Sequence, residues 1–365
     1  MTGTRWRHPD MGLEPRHIAH TREFVDALPY RDRIVAALVS GSQAAGLAHG
    51  RSDLDVIVVV ADEDRGCRTL PKRYRGQCVD SLTLTIGDVQ RHLGTQGARE
   101  AARDLDRRLY ALADYPGWLT LVRLAIGHVV LATTPSARAL LASVERDPVR
   151  RSLMVHGALC LATFAEDVKG AVECGDLATA LAAAEEAVRC GVDISLAALG
   201  DVYIGRKYMA RRMARHRSLA YLLERDDLFG LPPARCADDE VHRIIRQRLL
   251  VAGHLAGHCL AGGWQRPIRT VTPFTPGQAG PVRDPYLTPI RWPAGLGLMT
   301  GVDVVRPVSE EEAVLWSLLD GRPSGAVKAE FARLTGRAAA DADDLVPRTV
   351  EDWRSAGLLL DPAVL

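Results

Sequence analysis

Residues 40–60 read SGSQAAGLAHGRSDLDVIVVV, and the architecture of the N-terminal part of the chain follows from them. Asp53 to Val60 is the clearest strand in the sequence. Val56, Ile57, Val58, Val59 and Val60 form a continuous apolar run of the kind that suits a strand buried on both faces. Upstream, Ile34 to Val39 is a short β-rich run. Gly41-Ser42 follows, then a short helical piece to His49 and a Gly50-Arg51-Ser52 turn. Downstream, CVDSLTLTI (Cys78 to Ile86) alternates like a second strand. With helical spacing over residues 16–29, residues 1–95 predict a small α/β domain.

The same stretch carries the candidate chemistry. Asp53 and Asp55 are two apart at the start of a strand, and a period of two puts both carboxylates on one face. Two such carboxylates repel strongly without a counter-ion. Mg²⁺, a hard cation that takes carboxylate oxygens together with waters and phosphates, resolves the conflict. Between strand and helix, Gly41 lets the backbone approach a ligand closely. A helix N-terminus offers free N–H groups and a positive dipole end to phosphate. A phosphate cradle beside a carboxylate pair implies a metal–nucleotide site.

GS, then G, then SDLD and an apolar strand, over residues 30–90, resemble the polymerase-β nucleotidyltransferase superfamily. The likeness is closest to its small-molecule branch, the aminoglycoside and minimal nucleotidyltransferases. The resemblance implies a third carboxylate on a later strand, matched here by Asp80. It implies that Asp53 and Asp55 ligate one or two Mg²⁺ ions, and that Asp80 is a ligand or the base for the acceptor hydroxyl. Gly41 and Ser42 would hold the β- and γ-phosphates, and Ser52 of the SDLD turn would join the nucleotide-binding set. The implied reaction is attack of an acceptor oxygen on the α-phosphorus of an NTP, ATP before the others, with pyrophosphate leaving. A second resemblance lies in Gly200-Asp201-Val202-Tyr203 and Gly205-Arg206-Lys207-Tyr208. They look like the helical segment after the catalytic domain of such enzymes, where a lysine reaches the triphosphate; Lys207 is the match.

The rest of the chain sets bounds. Its 365 residues allow two or three domains. A net charge of +1 gives no global pull toward nucleic acid or membrane. Seven cysteines without a pairing pattern argue against a disulfide framework, so the cytoplasm is the default. No apolar stretch reads as a membrane span. Residues 96–265 predict a bundle of four to six helices, with Glu166, Asp167 and Asp193 as possible additional bases. His254 and His258, four apart with Cys259 adjacent, read as helix-surface or core histidines rather than as metal ligands. Seven prolines between Pro267 and Pro293 predict a linker or wrapping arm over 266–294. Residues 295–365 predict a winged-helix-like module: a strand at Val302–Val305, a helix opened by a Ser309/Glu312 capping box and ended by Gly321, a second capped by Ser324, a third from Arg348 to Ser355, and a terminal strand paired with the first. Gly295-Leu296-Gly297 lacks the strand and βαβ frame of a dinucleotide loop. From Gly295 onward, 12 acidic residues stand against 7 basic ones, a net −5 that opposes duplex binding. In its helix spacing and terminal Gly357-Leu358-Leu359-Leu360 the module resembles the small winged-helix domains that bind peptides in natural-product biosynthesis, which implies a peptide or protein partner.

The expectation is a Mg²⁺-dependent transferase of AMP from ATP to a hydroxyl of a small molecule, in antibiotic modification or specialised metabolism. Rivals are the same chemistry on a protein or tRNA, and a non-catalytic nucleotide-sensing regulator.

Overall fold

The computed structural model describes residues 13–61, 72–110, 115–230 and 236–360. The chain divides into two compact units. The first holds residues up to Arg150 apart from 102–107, and takes back Val202–Arg212; the second holds the remainder.

In the first unit the order is α1 (Pro15–Asp26), β1 (Ile34–Val39), α2 (Gly41–Ala44), β2 (Leu54–Val60), β3 (Lys72–Tyr74), β4 (Gln77–Thr85), α3 (Ile86–Ala101), α4 (Tyr115–Ile126), β5 (His128–Ala132) and α5 (Pro135–Ala142). The sheet order is β3-β4-β2-β1-β5. Only β2 and β4 run parallel; the other neighbours are antiparallel. Pleat alternation sorts the strand residues into two cores. Val39, Val56 and Val58 share a cluster with Phe24 and Val25 of α1. Leu38, Ile57 and Val59 share the other with Val89 of α3 and Leu141 of α5. The two-sided burial expected of the valine run is observed, every residue from Val56 to Val60 being buried.

This unit reaches well past residue 95. Its fifth strand, β5, lies in a stretch expected to be helical. His128-Val129-Val130-Leu131-Ala132 is too short to declare its period, and its pairing with β1 supplies the hydrogen bonds that decide it.

The second unit contains most of α6 (Arg146–Glu173), then α7 (Leu177–Ala198), the end of α8 (Met209–Arg215), α9 (Arg217–Ala220) and α10 (Asp238–Gly262). Arginines tie its elements to carbonyl oxygens. Buried Arg248 of α10 donates to Leu181 O of α7 and to Asp227 O, each at 2.9 Å. The proline-rich segment carries β6 (Val282–Arg283) and β7 (Thr288–Trp292), and β8 (Gly295–Thr300) and β9 (Asp303–Pro307) complete a β7-β8-β9 meander. Arg283 is fully buried and donates to the carbonyls of Trp316, Leu319 and Leu250.

Three helices follow: α11 (Glu310–Leu318), α12 (Ser324–Thr335) and α13 (Ala339–Ser355). The Ser309/Glu312 capping box is present in both directions. Helix α13 starts nine residues before the expected Arg348 and runs through Pro347, because Ala342, Val346, Val350 and Trp353 form one buried stripe. The expected strand pairing is not made. β9 pairs with β8, and β10 (Leu359–Leu360) pairs with β6. The β7-β8-β9 meander precedes the helices, and the two-residue β10 after them pairs back to β6. Gly295-Leu296-Gly297 is plain β-strand. Among the described residues no helix is long and apolar enough to cross a membrane.

Candidate functional site

The site lies at the N-terminal ends of β2 and β4. Register pairs Asp55 with Asp80 across the two parallel strands, so both carboxylates emerge side by side. Opposite them, β1 ends at Ser40, whose N–H donates to Asp55 O at 2.9 Å and whose hydroxyl donates to Arg123 O at 2.6 Å. These bonds fix the Gly41 turn against β2. Gly41 sits at φ +58°. A Cβ there would lie 2.8 Å from Asp55 Cβ and closer still to its carboxylate. The position is therefore constrained twice, by backbone conformation and by contact with a site residue.

Arg123 of α4 donates from Nη2 to Asp55 Oδ1 at 2.9 Å and reaches Asp80 Oδ2 at 3.4 Å. The Ser42 backbone N–H is also bonded to the Asp55 carboxylate. Burial raises the Asp55 pKa; Arg123 opposes it, and the neighbouring Asp80 and Asp53 push it further up. Arg123 thus serves two carboxylates, Asp55 and Asp80, and one guanidinium leaves that pair short of positive charge.

Asp53 precedes β2 and is exposed. It takes a hydrogen bond from the half-buried Cys78 thiol, whose pKa is raised by desolvation first and then by that carboxylate. Among the described residues, no three His, Cys, Asp or Glu side chains close into a metal cage. Asp55 and Asp80 are the pair brought together. A pair suits Mg²⁺, which takes one or two carboxylates and leaves its remaining positions to water and substrate phosphates. The half-buried, charge-deficient Asp55 beside Asp80 fits such a cation.

The returning segment Val202–Arg212 belongs to this unit and docks through Arg211, which donates to Leu47 O at 2.8 Å and Ala48 O at 3.1 Å. It delivers Tyr208, a residue sequence reasoning missed, to Ser42 and Ser52. Burial works to raise the Tyr208 pKa, but hydrogen bonds with Ser52, Ser42 and Lys207 outweigh it, so the phenol lies below its ordinary value. Lys207 itself is exposed, with Nζ 5.1 Å from the Tyr208 ring centroid. Tyr203 packs edge-on to Tyr208 at 6.0 Å, and burial pushes its pKa up to about 12. Arg123 was missed as well. Its one signal was a charge interrupting an apolar helix, which the sequence alone does not tie to an aspartate 68 residues away.

Glu166, Asp167 and Asp193 fall in the second unit. So does His254, whose Nδ1 and Nε2 lie 2.8 Å from Ser317 O and 2.7 Å from Thr272 O. It ties α10 to α11 and to the proline-rich segment, with both nitrogens engaged.

No protein-family model and no curated protein matches the chain. Among solved structures it is similar to a nucleotidyltransferase-like protein from Exiguobacterium sibiricum 255-15, at 13% identity and a TM-score of 0.34, over 67% of this chain and 79% of that one.

Proposed function

We propose that the α/β unit transfers a nucleoside monophosphate, AMP from ATP, to a hydroxyl of a small molecule, with Mg²⁺ and release of pyrophosphate. The observation that carries this reading is the in-register Asp55–Asp80 pair beside the Gly41 turn, with Asp55 half-buried and short of counter-charge. Asp55 and Asp80 would hold the cation, with Asp53 as a further ligand and Asp80 as the alternative base. Mg²⁺, when bound, would supply Lewis-acid polarisation of the phosphate oxygens.

The chain's own donors have a second use. Arg123 and the Ser42 amide now rest on the Asp55 carboxylate. Once a cation satisfies that carboxylate, both become available to phosphate oxygens, where a fixed N–H and a guanidinium stabilise developing charge. Gly41, Ser42 and Ser52 would line the phosphates. Lys207 would add a mobile positive charge.

The test is pyrophosphate release from each of the four NTPs across an acceptor library, with and without Mg²⁺. Wild-type activity should vanish in Asp55→Asn and Asp80→Asn. Near-normal turnover in either variant at saturating Mg²⁺ would sink the proposal. One observation favours a second reading, a nucleotide sensor without catalysis: Arg123 already compensates part of the carboxylate charge. A sensor would bind Mg–NTP and release no pyrophosphate with any acceptor.

A further inference from the structure

Beside Asp53 the first unit opens into a cavity of about 710 Å³, a size that suits a small-molecule ligand. Its walls come from the first turns of α1, from the loop of residues 49–53, and from the β3–β4 hairpin. Four arginines line it: Arg16, Arg51, Arg73 and Arg75. Among the described residues, Asp53 is the one carboxylate on the wall.

The four cations are not equivalent. Arg16 is paired with Glu14 at 2.7 Å and Arg75 with Glu23 at 2.6 Å. Among the described residues, Arg51 and Arg73 have no ion pair, and both are exposed. They lie on different elements, the loop before β2 and the strand β3, and face one cavity. Three histidines, His17, His20 and His49, also line it. His17 is buried, with Nδ1 accepting the Glu14 N–H at 3.2 Å. His20 has a buried Nε2 with no hydrogen-bond partner among the described residues, a nitrogen that has left water without gaining anything in return. Unpaired guanidiniums in a concave, half-enclosed site bind phosphate oxygens in pairs of parallel N–H bonds.

The cavity is separate from the nucleotide side of the site. Gly41, Ser42, Asp55, Asp80, Lys207 and Tyr208 are absent from its walls; Gln43, Ser52 and Asp53 are its border with them. With the donor phosphates assigned to the Gly41–Ser42 side, a second anion at the border of the carboxylates belongs to the other substrate.

We propose that this cavity binds the acceptor, and that the acceptor is a small phosphate-bearing metabolite held by Arg51 and Arg73. The assignment rests on the transferase reading above for the word acceptor, but not for the anion. A cationic antibiotic is the wrong charge for this wall. A nucleic acid is disfavoured by the chain's net charge of +1.

The test uses the full chain, with inorganic phosphate and glucose 6-phosphate as probes and glucose as the uncharged control. Titration calorimetry is run with and without a saturating non-hydrolysable Mg–ATP analogue, on wild type and on Arg51→Gln/Arg73→Gln. Both positions are exposed, so the double variant should melt within a few degrees of wild type. We expect both phosphate probes to bind and glucose not to. We expect phosphate binding to persist when nucleotide is bound. The double variant should lose tenfold or more in phosphate affinity, with nucleotide affinity changed less than twofold. No phosphate binding by wild type, or no loss in the double variant, overturns the proposal. Displacement of phosphate by the nucleotide, with both affinities lost in the double variant, also overturns it, since the cavity would then hold the donor's own phosphates. Tight, salt-sensitive capture of a tRNA or duplex that excludes phosphate overturns it in favour of nucleic acid. If wild type binds phosphate through Arg51 and Arg73 but no Mg–nucleotide, the anion site stands and the transferase reading falls.

Discussion

Gly41→Ala adds a single methyl group, and the structure says where it must go. At φ +58° a non-glycine residue costs roughly 1–2 kcal/mol. The new Cβ would also lie 2.8 Å from Asp55 Cβ, with the carboxylate nearer still. Comfortable carbon–carbon contact is about 3.5–4.0 Å, so Asp55 or the turn must retreat by roughly 1 Å. A displacement of that size at a reacting group can cost on the order of 100-fold in rate. The expected outcome is a modest loss of stability, a few degrees in Tm, with turnover reduced about 100-fold or more. Thermal melting and pyrophosphate release on the same preparation separate the two effects. Turnover within twofold of wild type in a folded Gly41→Ala protein would refute the claim that the turn must press against Asp55.

Arg123→Ala should cost about 1–3 kcal/mol, the range for hydrogen bonds to charged groups, and should raise the affinity for Mg²⁺ in nucleotide-free buffer; a calorimetric Mg²⁺ titration that shows no gain would remove Arg123 from the counter-ion role. Lys207→Ala should raise the KM for NTP more than that for the acceptor, and an unchanged nucleotide KM would return Lys207 to an ordinary solvated surface. His258 is buried, and its pKa is lowered from 6.5 to about 4, chiefly by burial and then by His254. The unfolded chain therefore binds a proton at this residue at higher pH than the folded one, so its contribution to stability should fall from pH 6.5 down to about pH 4, by on the order of 3 kcal/mol. Denaturant titrations of wild type and His258→Phe should diverge in their pH dependence across that window, and parallel curves would contradict the assignment.

Local signals were strong wherever a residue's environment was made by its neighbours in the chain. The valine run after Asp55 declares a two-sided buried strand, and Ser309 with Glu312 declares a helix start, because hydrophobic period and cap chemistry act over a few residues. The short helical turn at Gly41–Ser42 was legible for the same reason. What the sequence did not show depends on distant partners. β5 is a strand because β1 is there to pair with it. The length of α13 is set by the face it buries, which outweighs Pro347. Asp80 stands beside Asp55 through the parallel register of β2 and β4. Arg123 reaches both from α4, and Tyr208 comes back to Ser42 and Ser52 after two long helices have intervened. The basic cavity gathers arginines from a helix, a loop and a hairpin that the sequence scatters over 60 positions. Composition had already settled that the chain as a whole is close to neutral; only the folding of the backbone decides that two guanidiniums with no ion pair among the described residues face one cavity beside Asp53, because charge sums along a sequence but potential is made by proximity in space.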